Sequence, residues 1–267
     1  MKPEENKFAD VPIRVKTWIY IIIVFALGVS HPLAMTILVS WISFQCFFEF
    51  SRMFKIYDSP LAPSIFISVL QFFLLYFLNT DVYLLYSFLI TILIVCRSVL
   101  KGSSVKQIYG ISIALLICLI AFPNLLWIRN RFDGLNAIIF IVVVTELNDV
   151  FQYLMGKFFG KHKITPQISP NKTLEGLIGG IFITIILSNI LGYFLLTTDM
   201  VTNSILGLVL GVSGFFGDIF MSYVKRKTGV KDTGSLLPGH GGLLDRMDSL
   251  VFNAPLFFWL FPLLIKN

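Results

Sequence analysis

Asp218, Ser222 and Lys225 stand at positions i, i+4 and i+7, which puts all three on one face of a helix. Asp245 and Asp248, at i and i+3, share a face in the same way, and Glu146, Asp149 and Tyr153 repeat the pattern earlier in the chain. Each carboxylate lies within or beside a strongly apolar run. An ionisable group at that depth is costly and points to function unless it caps a helix. Carboxylates converging from several helices beside basic residues can hold a divalent cation, with phosphate oxygens as the remaining ligands. Magnesium binds in this manner, through one or two carboxylates. Asp218 with one of Asp245 and Asp248 is the pair that this spacing favours.

The stretch "VKRKTGVKDTGSLLPGHGGLLDRMD" would supply the other half of such chemistry. Lys225, Arg226 and Lys231 carry positive charge, while Lys227 reads as simple loop topology. Gly239, Gly241 and Gly242 permit a tight turn or a close approach of backbone to a ligand, and His240 sits among them. A glycine turn, a histidine, an arginine and two spaced aspartates within ten residues exceed what topology requires. An earlier stretch, "GKHKITPQISPNKTLEGLIGG", leads directly into an apolar run. Ser169 or Asn171 is placed to cap that helix, with Thr173 and Glu175 in its first turn. A helix N-terminus beside Lys172 would attract an anion, and plain capping is the competing account. Gly176, Gly179 and Gly180 have the spacing of close helix packing.

What must position these residues is set by composition. Of 267 residues 56% are hydrophobic and 13% charged, with mean hydropathy +0.83. A water-soluble chain would carry about 25% charged residues. Such a chain cannot cover a water-facing surface, so the bilayer is its solvent. The expected fold is all-α: a polytopic transmembrane helical protein of about nine spans, at 17–30, 32–48, 61–79, 82–98, 108–127, 135–155, 173–197, 201–223 and 248–265. The first two share only a His31–Pro32 break, so a re-entrant pair and eight spans form the alternative. The same continuity favours a helical hairpin over a cleaved signal peptide. With the N-terminus cytoplasmic, alternate loops hold every Lys and Arg except Arg129, Arg131 and Lys266. The net charge of +6 therefore reflects topology and anionic substrates, not nucleic acid. Cys46, Cys96 and Cys118 all lie in apolar runs without metal-ligand spacing. The chain reads as one integral membrane domain, 1–267, with its chemistry in about 135–265.

The residues from Ser222 to Asp248 resemble the C-terminal motif of phosphatidate cytidylyltransferases, the CDP-diacylglycerol synthases. That motif runs Ser-x-x-Lys-Arg, four residues, Lys-Asp, a Pro-x-His-Gly-Gly turn and Asp-Arg-x-Asp, and each fixed position is filled here, Asp232 included. The earlier loop resembles the family's second conserved segment, and the two together cover roughly 150–250. One stretch departs. The family's usual Ala-Asp-Thr/Ser-Gly-Ala-Tyr is replaced by "NDVFQY", which keeps Asp149 and Tyr153 and resembles a divergent branch with Asn148 before the aspartate. This departure leaves the lipid acceptor open.

The resemblance implies that CTP and phosphatidate give CDP-diacylglycerol and pyrophosphate, with Mg²⁺ and room for a second, monovalent, cation. It implies metal roles for Asp218, Asp245 and Asp248, and phosphate contacts for Lys225, Arg226, Lys231 and Arg246. Ser169, Lys172, Thr173 and Glu175 would bind nucleotide or lipid phosphate, together with the Asn148, Asp149, Tyr153 and Ser222 positions. His240 would orient groups or assist the leaving group. A bacterial inner membrane with the site facing the cytoplasm suits the resemblance, and a homodimer is compatible with it. A CTP-dependent enzyme acting on another lipid could use the same loops. An ion-coupled transporter would explain buried carboxylates but not the Gly-His-Gly-Gly loop. A CDP-alcohol phosphotransferase would need an Asp-Gly-x-x-Ala-Arg start, which Asp133–Gly134 does not provide.

Overall fold

The computed structural model describes residues 11–131, 134–239 and 241–265. His240 lies outside the described residues. The described chain is built from α1 (Val11–Ser30), α2 (Pro32–Phe54), α3 (Leu61–Phe77), α4 (Thr80–Leu100), α5 (Val105–Leu116), α6 (Pro123–Asn130) and α7 (Gly134–Phe159). A hairpin of β1 (Lys163–Thr165) and β2 (Ser169–Thr173) follows. Then come α8 (Leu174–Leu191), α9 (Met200–Thr228), the single turn α10 (Leu244–Met247) and α11 (Leu250–Leu264). Among the described residues, seven helical stretches are long and apolar enough to cross a membrane: 32–54, 80–100, 105–130, 134–159, 174–196, 200–228 and 244–264. Two shorter apolar helices, 15–30 and 61–77, accompany them. These nine stretches overlap the nine expected from hydropathy, and seven of them have the length and composition of a span. Their outward residues, Phe66, Phe77, Leu93, Phe182 and Phe194 among them, are exposed and apolar, as a lipid-facing surface requires.

Local chemistry explains the breaks between helices. His31 is extended, and its Nδ1 accepts the Leu33 N–H at 3.2 Å, so it caps α2 while Pro32 occupies the first helical position. Asn79 caps α4, and Asp199 caps α9 by accepting from the Val201 and Thr202 N–H groups. Gly229, at φ 80°, ends α9 in a left-handed conformation that favours glycine. Between α5 and α6 the chain runs through a π-helical turn, Ile117–Ala121. Pro123 has no N–H to donate and its ring crowds the preceding turn, which frees carbonyls there. In lipid such carbonyls need partners. Cys118 O accepts from Gln71 Nε2 (2.6 Å) and Ser43 Oγ (3.1 Å), and Leu119 O accepts from the Tyr83 hydroxyl (2.9 Å). Side chains from α2, α3 and α4 thus fasten the N-terminal half around this bulge.

The C-terminal half packs α7 on α8, α8 on α9, and α9 on α11. Small residues make the close approach possible. A Cβ on Gly180 would stand 2.8 Å from the Gln152 Cα, and one on Gly207 2.8 Å from the Ile185 Cα. Asn148 and Gln152, both buried, bond each other at 3.1 Å. Asn148 Oδ1 also accepts from the Thr184 hydroxyl at 3.0 Å, and Gln152 Nε2 donates to Gly211 O at 3.2 Å. These side chains glue α7, α8 and α9 together.

The all-α expectation holds apart from the β1–β2 hairpin, which pairs antiparallel with Lys163 opposite Thr173 and Thr165 opposite Ser169. That hairpin corrects the capping assignment. Ser169 and Asn171 lie in the strand, and Thr173 caps α8, its Oγ1 accepting the Gly176 N–H at 3.1 Å. Thr173 is the last extended residue before the helix, so its hydroxyl alone stands within reach of the free N–H groups.

Candidate active site

Three helices and the hairpin deliver charge to one place. Asp149 projects from α7, Asp218 from α9, Asp248 from the junction of α10 and α11, and Lys172 from β2. Lys172 Nζ lies 2.7 Å from Asp218 Oδ2, with side chains 16% and 24% exposed, and 5.4 Å from the centre of the Phe215 ring. Burial works against the Lys172 ammonium. Asp218, Asp149 and Asp248 together outweigh it and hold its pKa above the ordinary lysine value. Asp218 Oδ1 accepts from the Ser222 hydroxyl (3.2 Å), one turn along the face that the i, i+4 spacing defines. Asp149 Oδ2 accepts from the Ser249 hydroxyl (2.7 Å), while its Oδ1 is buried with no hydrogen-bond partner among the described residues. Asp248 Oδ1 accepts the Ser249 N–H at 3.0 Å.

Gly217 explains how Asp248 comes so close to α9. A Cβ there would lie 2.6 Å from Asp248 O and 3.1 Å from the Ser249 Cα. Any larger residue would push the α10–α11 junction, and Asp248 with it, away from Asp218. Arg246, two residues before Asp248, reaches the same region and acts electrostatically on Glu146 and Asp149. Its Nε is buried and has no partner among the described residues. A buried guanidinium N–H without an acceptor is costly, and it suits an anionic ligand.

Lys225 and Asp245 belong to a neighbouring layer. Lys225 Nζ pairs with Asp245 Oδ1 at 2.8 Å, the side chains being 12% and 5% exposed. Asp245 Oδ2 accepts the Thr233 N–H (2.8 Å), the Gly242 N–H (2.9 Å) and is 3.1 Å from the Thr233 hydroxyl. Both oxygens are thus occupied, Oδ1 by Lys225 of α9 and Oδ2 by donors of its own loop. Asp245 therefore stands apart from Asp218 and Asp248, and among the described residues a carboxylate with a buried oxygen lacking a partner is Asp149. Beyond this layer, Glu49 of α2 accepts from the Leu243 and Leu244 N–H groups. No sequence signal singled it out, because it lies almost 200 residues from the motif it touches.

Several expected site residues stand elsewhere. Tyr153 is 59% exposed and does not join the cluster, although it shares a helical stripe with Asp149. Asn148 is committed to helix packing. Glu175 accepts the N–H groups of Lys161 (2.9 Å) and His162 (3.1 Å) and pairs with the His162 ring, so it holds the turn before β1. Arg226 is exposed and donates to Ile168 O (3.3 Å) and Val230 O (3.2 Å), tying the two polar loops together at one end of the bundle. Lys231 and Asp232 are exposed, Ser169 is half-buried in the hairpin, and Thr173 is buried as a cap. A cavity of about 620 Å³ lined by Leu196, Asp199, Thr202 and Phe261 lies by the α8–α9 turn and contains none of the cluster.

Among the described residues no three His, Cys, Asp or Glu side chains are arranged to hold a metal by themselves. The residues still fit a hard cation. An unpartnered carboxylate oxygen on Asp149 beside Asp218 and Asp248 offers anionic oxygen ligands, and substrate phosphates would complete a magnesium shell.

The chain spans 96% of its length in alignment with the uncharacterized protein YnbB of Escherichia coli (strain K12), at 37% identity and covering 88% of that protein. It is 46% identical over 130 residues to a phosphatidate cytidylyltransferase of Staphylococcus aureus (strain COL), matching 48% of this chain and 50% of the relative. A phosphatidate cytidylyltransferase of Staphylococcus haemolyticus (strain JCSC1435) is 42% identical over 128 residues, with 48% and 49% covered. The chain thus matches about half the length of these two staphylococcal enzymes. The model of the cytidylyltransferase family matches residues 12–264. Nearly the whole described chain, polar cluster included, falls within that match, and the chain belongs to the cytidylyltransferase family.

Proposed function

We propose that this membrane protein joins CTP to phosphatidate, giving CDP-diacylglycerol and pyrophosphate. The observation that carries the reading is the convergence of Lys172, Asp149, Asp218 and Asp248 beside Arg246, whose buried Nε has no partner among the described residues. The staphylococcal phosphatidate cytidylyltransferases support the choice of lipid. A phosphate oxygen of phosphatidate attacks the α-phosphorus of CTP. A new P–O–P bond forms, the bond from the α-phosphorus to the oxygen bridging the β-phosphate breaks, and pyrophosphate leaves with that electron pair. The nucleophile is already anionic, so no general base is needed. The difficulty is bringing two highly negative groups into line, which positive charge and positioning address.

Asp218 with Asp248 or the free oxygen of Asp149 would hold magnesium only together with substrate phosphate oxygens, and the ion would supply charge neutralisation on the nucleotide phosphates. Lys172 stays charged at neutral pH and stands ready to exchange Asp218 for a substrate phosphate. Arg246 offers its free N–H to a second phosphate oxygen. Lys225 is held by Asp245 and adds positive charge at the margin. The departure at "NDVFQY" falls on residues that serve packing, Asn148 and Gln152. At those two positions it bears on how α7 meets α8 and α9. On this reading the cluster faces the cytoplasm of a bacterial inner membrane, where CTP is available.

The test uses purified protein in detergent micelles containing phosphatidate and Mg²⁺, with CTP labelled at the α-phosphate. Label should enter the chloroform-soluble lipid, and EDTA should abolish it. A folded, metal-replete sample that transfers no label to phosphatidate would refute the reading and direct attention to other lipid acceptors.

A further inference from the structure

Glu49 is 2% exposed, near the end of a helix that contributes nothing else to the polar cluster. Its carboxylate has four donors: Gln45 Nε2 at 2.8 Å, the Leu243 N–H at 2.9 Å, the Leu244 N–H at 3.0 Å and the Thr233 hydroxyl at 2.6 Å. Three of the four come from the loop that carries Asp245, Arg246 and Asp248. Thr233 has one hydroxyl proton, and the shorter distance assigns it to Glu49. Its N–H goes to Asp245, which in turn holds Lys225. An unbroken chain of contacts therefore runs from α2 through Thr233 and Asp245 to α9.

The glycines of the loop are shaped around this carboxylate. A Cβ on Gly242 would lie 2.1 Å from the Thr233 Oγ1 and 2.5 Å from Glu49 Oε2, and one on Gly234 would lie 3.2 Å from Glu49 Oε1. The Gly-Gly pair of the turn thus has a second purpose: position 242 must lack a side chain for Glu49 to reach the backbone. A buried carboxylate is tolerated only with such dense donation. α10 is a single turn and cannot hold its own orientation, because a helix that short has no internal stability.

We infer that Glu49 is a positioning residue for nucleotidyl transfer: by gripping the Leu243 and Leu244 amides and Thr233, it aims Arg246 and Asp248 into the carboxylate–lysine cluster. This inference rests on the proposed reaction for its kinetic arm alone. Loss of the grip acts on groups engaged as charge develops in the transition state, so it should lower kcat more than it raises KM. Removal of comparable supporting contacts costs about 10–100-fold in activity.

The experiment compares wild type, Glu49→Gln, Thr233→Val, the double variant and Ser43→Ala in detergent micelles. Ser43 is equally buried on α2 but donates to Cys118 O, away from the loop, and controls for general destabilisation. Trypsin cleavage after Arg246, read by mass spectrometry, reports the grip without reference to activity. Glu49→Gln should expose that bond and lower kcat about 10–100-fold with the KM for CTP changed less than about threefold. Ser43→Ala should do neither. The double variant should lose less than the two single losses multiplied together, since both changes remove the Glu49–Thr233 contact. A folded Glu49→Gln protein with Arg246 protected and kcat within about threefold of wild type overturns the inference, as does an equal kcat loss in Ser43→Ala. If Glu49→Gln does not fold, Thr233→Val decides: cleavage at Arg246 with reduced kcat sustains the inference, and wild-type behaviour overturns it. If wild type transfers no CMP to phosphatidate, the proposed reaction fails, and protection of Arg246 alone decides the grip.

Discussion

Asp245→Ala separates two roles that the same residue type could fill. In the structure Asp245 accepts from the Lys225 ammonium (2.8 Å), the Thr233 N–H (2.8 Å) and the Gly242 N–H (2.9 Å), and its Oδ2 lies 3.1 Å from the Thr233 hydroxyl oxygen. Alanine leaves an ammonium whose side chain is only 12% exposed without its partner, and two loop amides without acceptors. Breaking a buried ion pair from one side costs about 3–5 kcal/mol. The residual access of Lys225 to water, and the second acceptor that Glu49 gives Thr233, place this case at about 2–3 kcal/mol. For a chain of this size that corresponds to a fall in Tm of about 4–12 °C. Asp245→Asn keeps the shape and one acceptor, but its NH₂ must face either Lys225 or the loop amides, so it should lose about half as much. The assay is thermal unfolding in one detergent at one scan rate, because membrane-protein unfolding is often irreversible. It is paired with a titration of activity against Mg²⁺. An Asp245→Ala protein with wild-type Tm and a raised Mg²⁺ requirement would refute the reasoning and make Asp245 a metal ligand.

Asp218→Asn should behave oppositely, with CMP transfer down about 100–1,000-fold and Tm little changed, because Lys172 keeps Asp149 and Asp248 as neighbours. Activity within tenfold of wild type, measured by label transfer, would count against Asp218 as a ligand. Lys172 has a folded pKa above its unfolded value. Its contribution to stability is therefore fully present below about pH 10.4 and is lost as pH rises through the folded value. Wild type should lose Tm above that pH more steeply than Lys172→Met, and parallel curves would contradict the cluster's geometry. Gly180→Ala should drive a methyl group into the Gln152 backbone of α7 and destabilise the bundle by about 1–3 kcal/mol, visible as a lower Tm. An unchanged Tm would mean that α7 and α8 are less closely apposed.

Much of the architecture was legible because lipid imposes a simple code: apolar stretches of a set length, interrupted by charge. The helix boundaries at His31–Pro32, Asn79 and Asp199 follow from residues whose side chains or rings can begin a helix. The stripe of Asp218, Ser222 and Lys225 was readable for the same reason, since helical spacing alone puts them on one face. Helical spacing put Tyr153 on the stripe of Asp149, but Tyr153 faces outward, because a stripe has width and only packing decides which of its edges faces inward.

What the sequence by itself determined is therefore an all-α membrane chain with two polar loops and a set of carboxylates and basic residues able to handle phosphates. Only the tertiary structure decided which of those residues meet one another and which are held by partners of their own. Asp245 and Asp248 look equivalent at i and i+3, yet one is held by three donors and the other stands against Asp218. Glu49 carries no local signal, since its partners Thr233, Leu243 and Leu244 lie at the far end of the chain. The physical reason is common to both. A carboxylate's role depends on which donors fill its oxygens, and those donors are brought to it by contacts between helices remote in sequence.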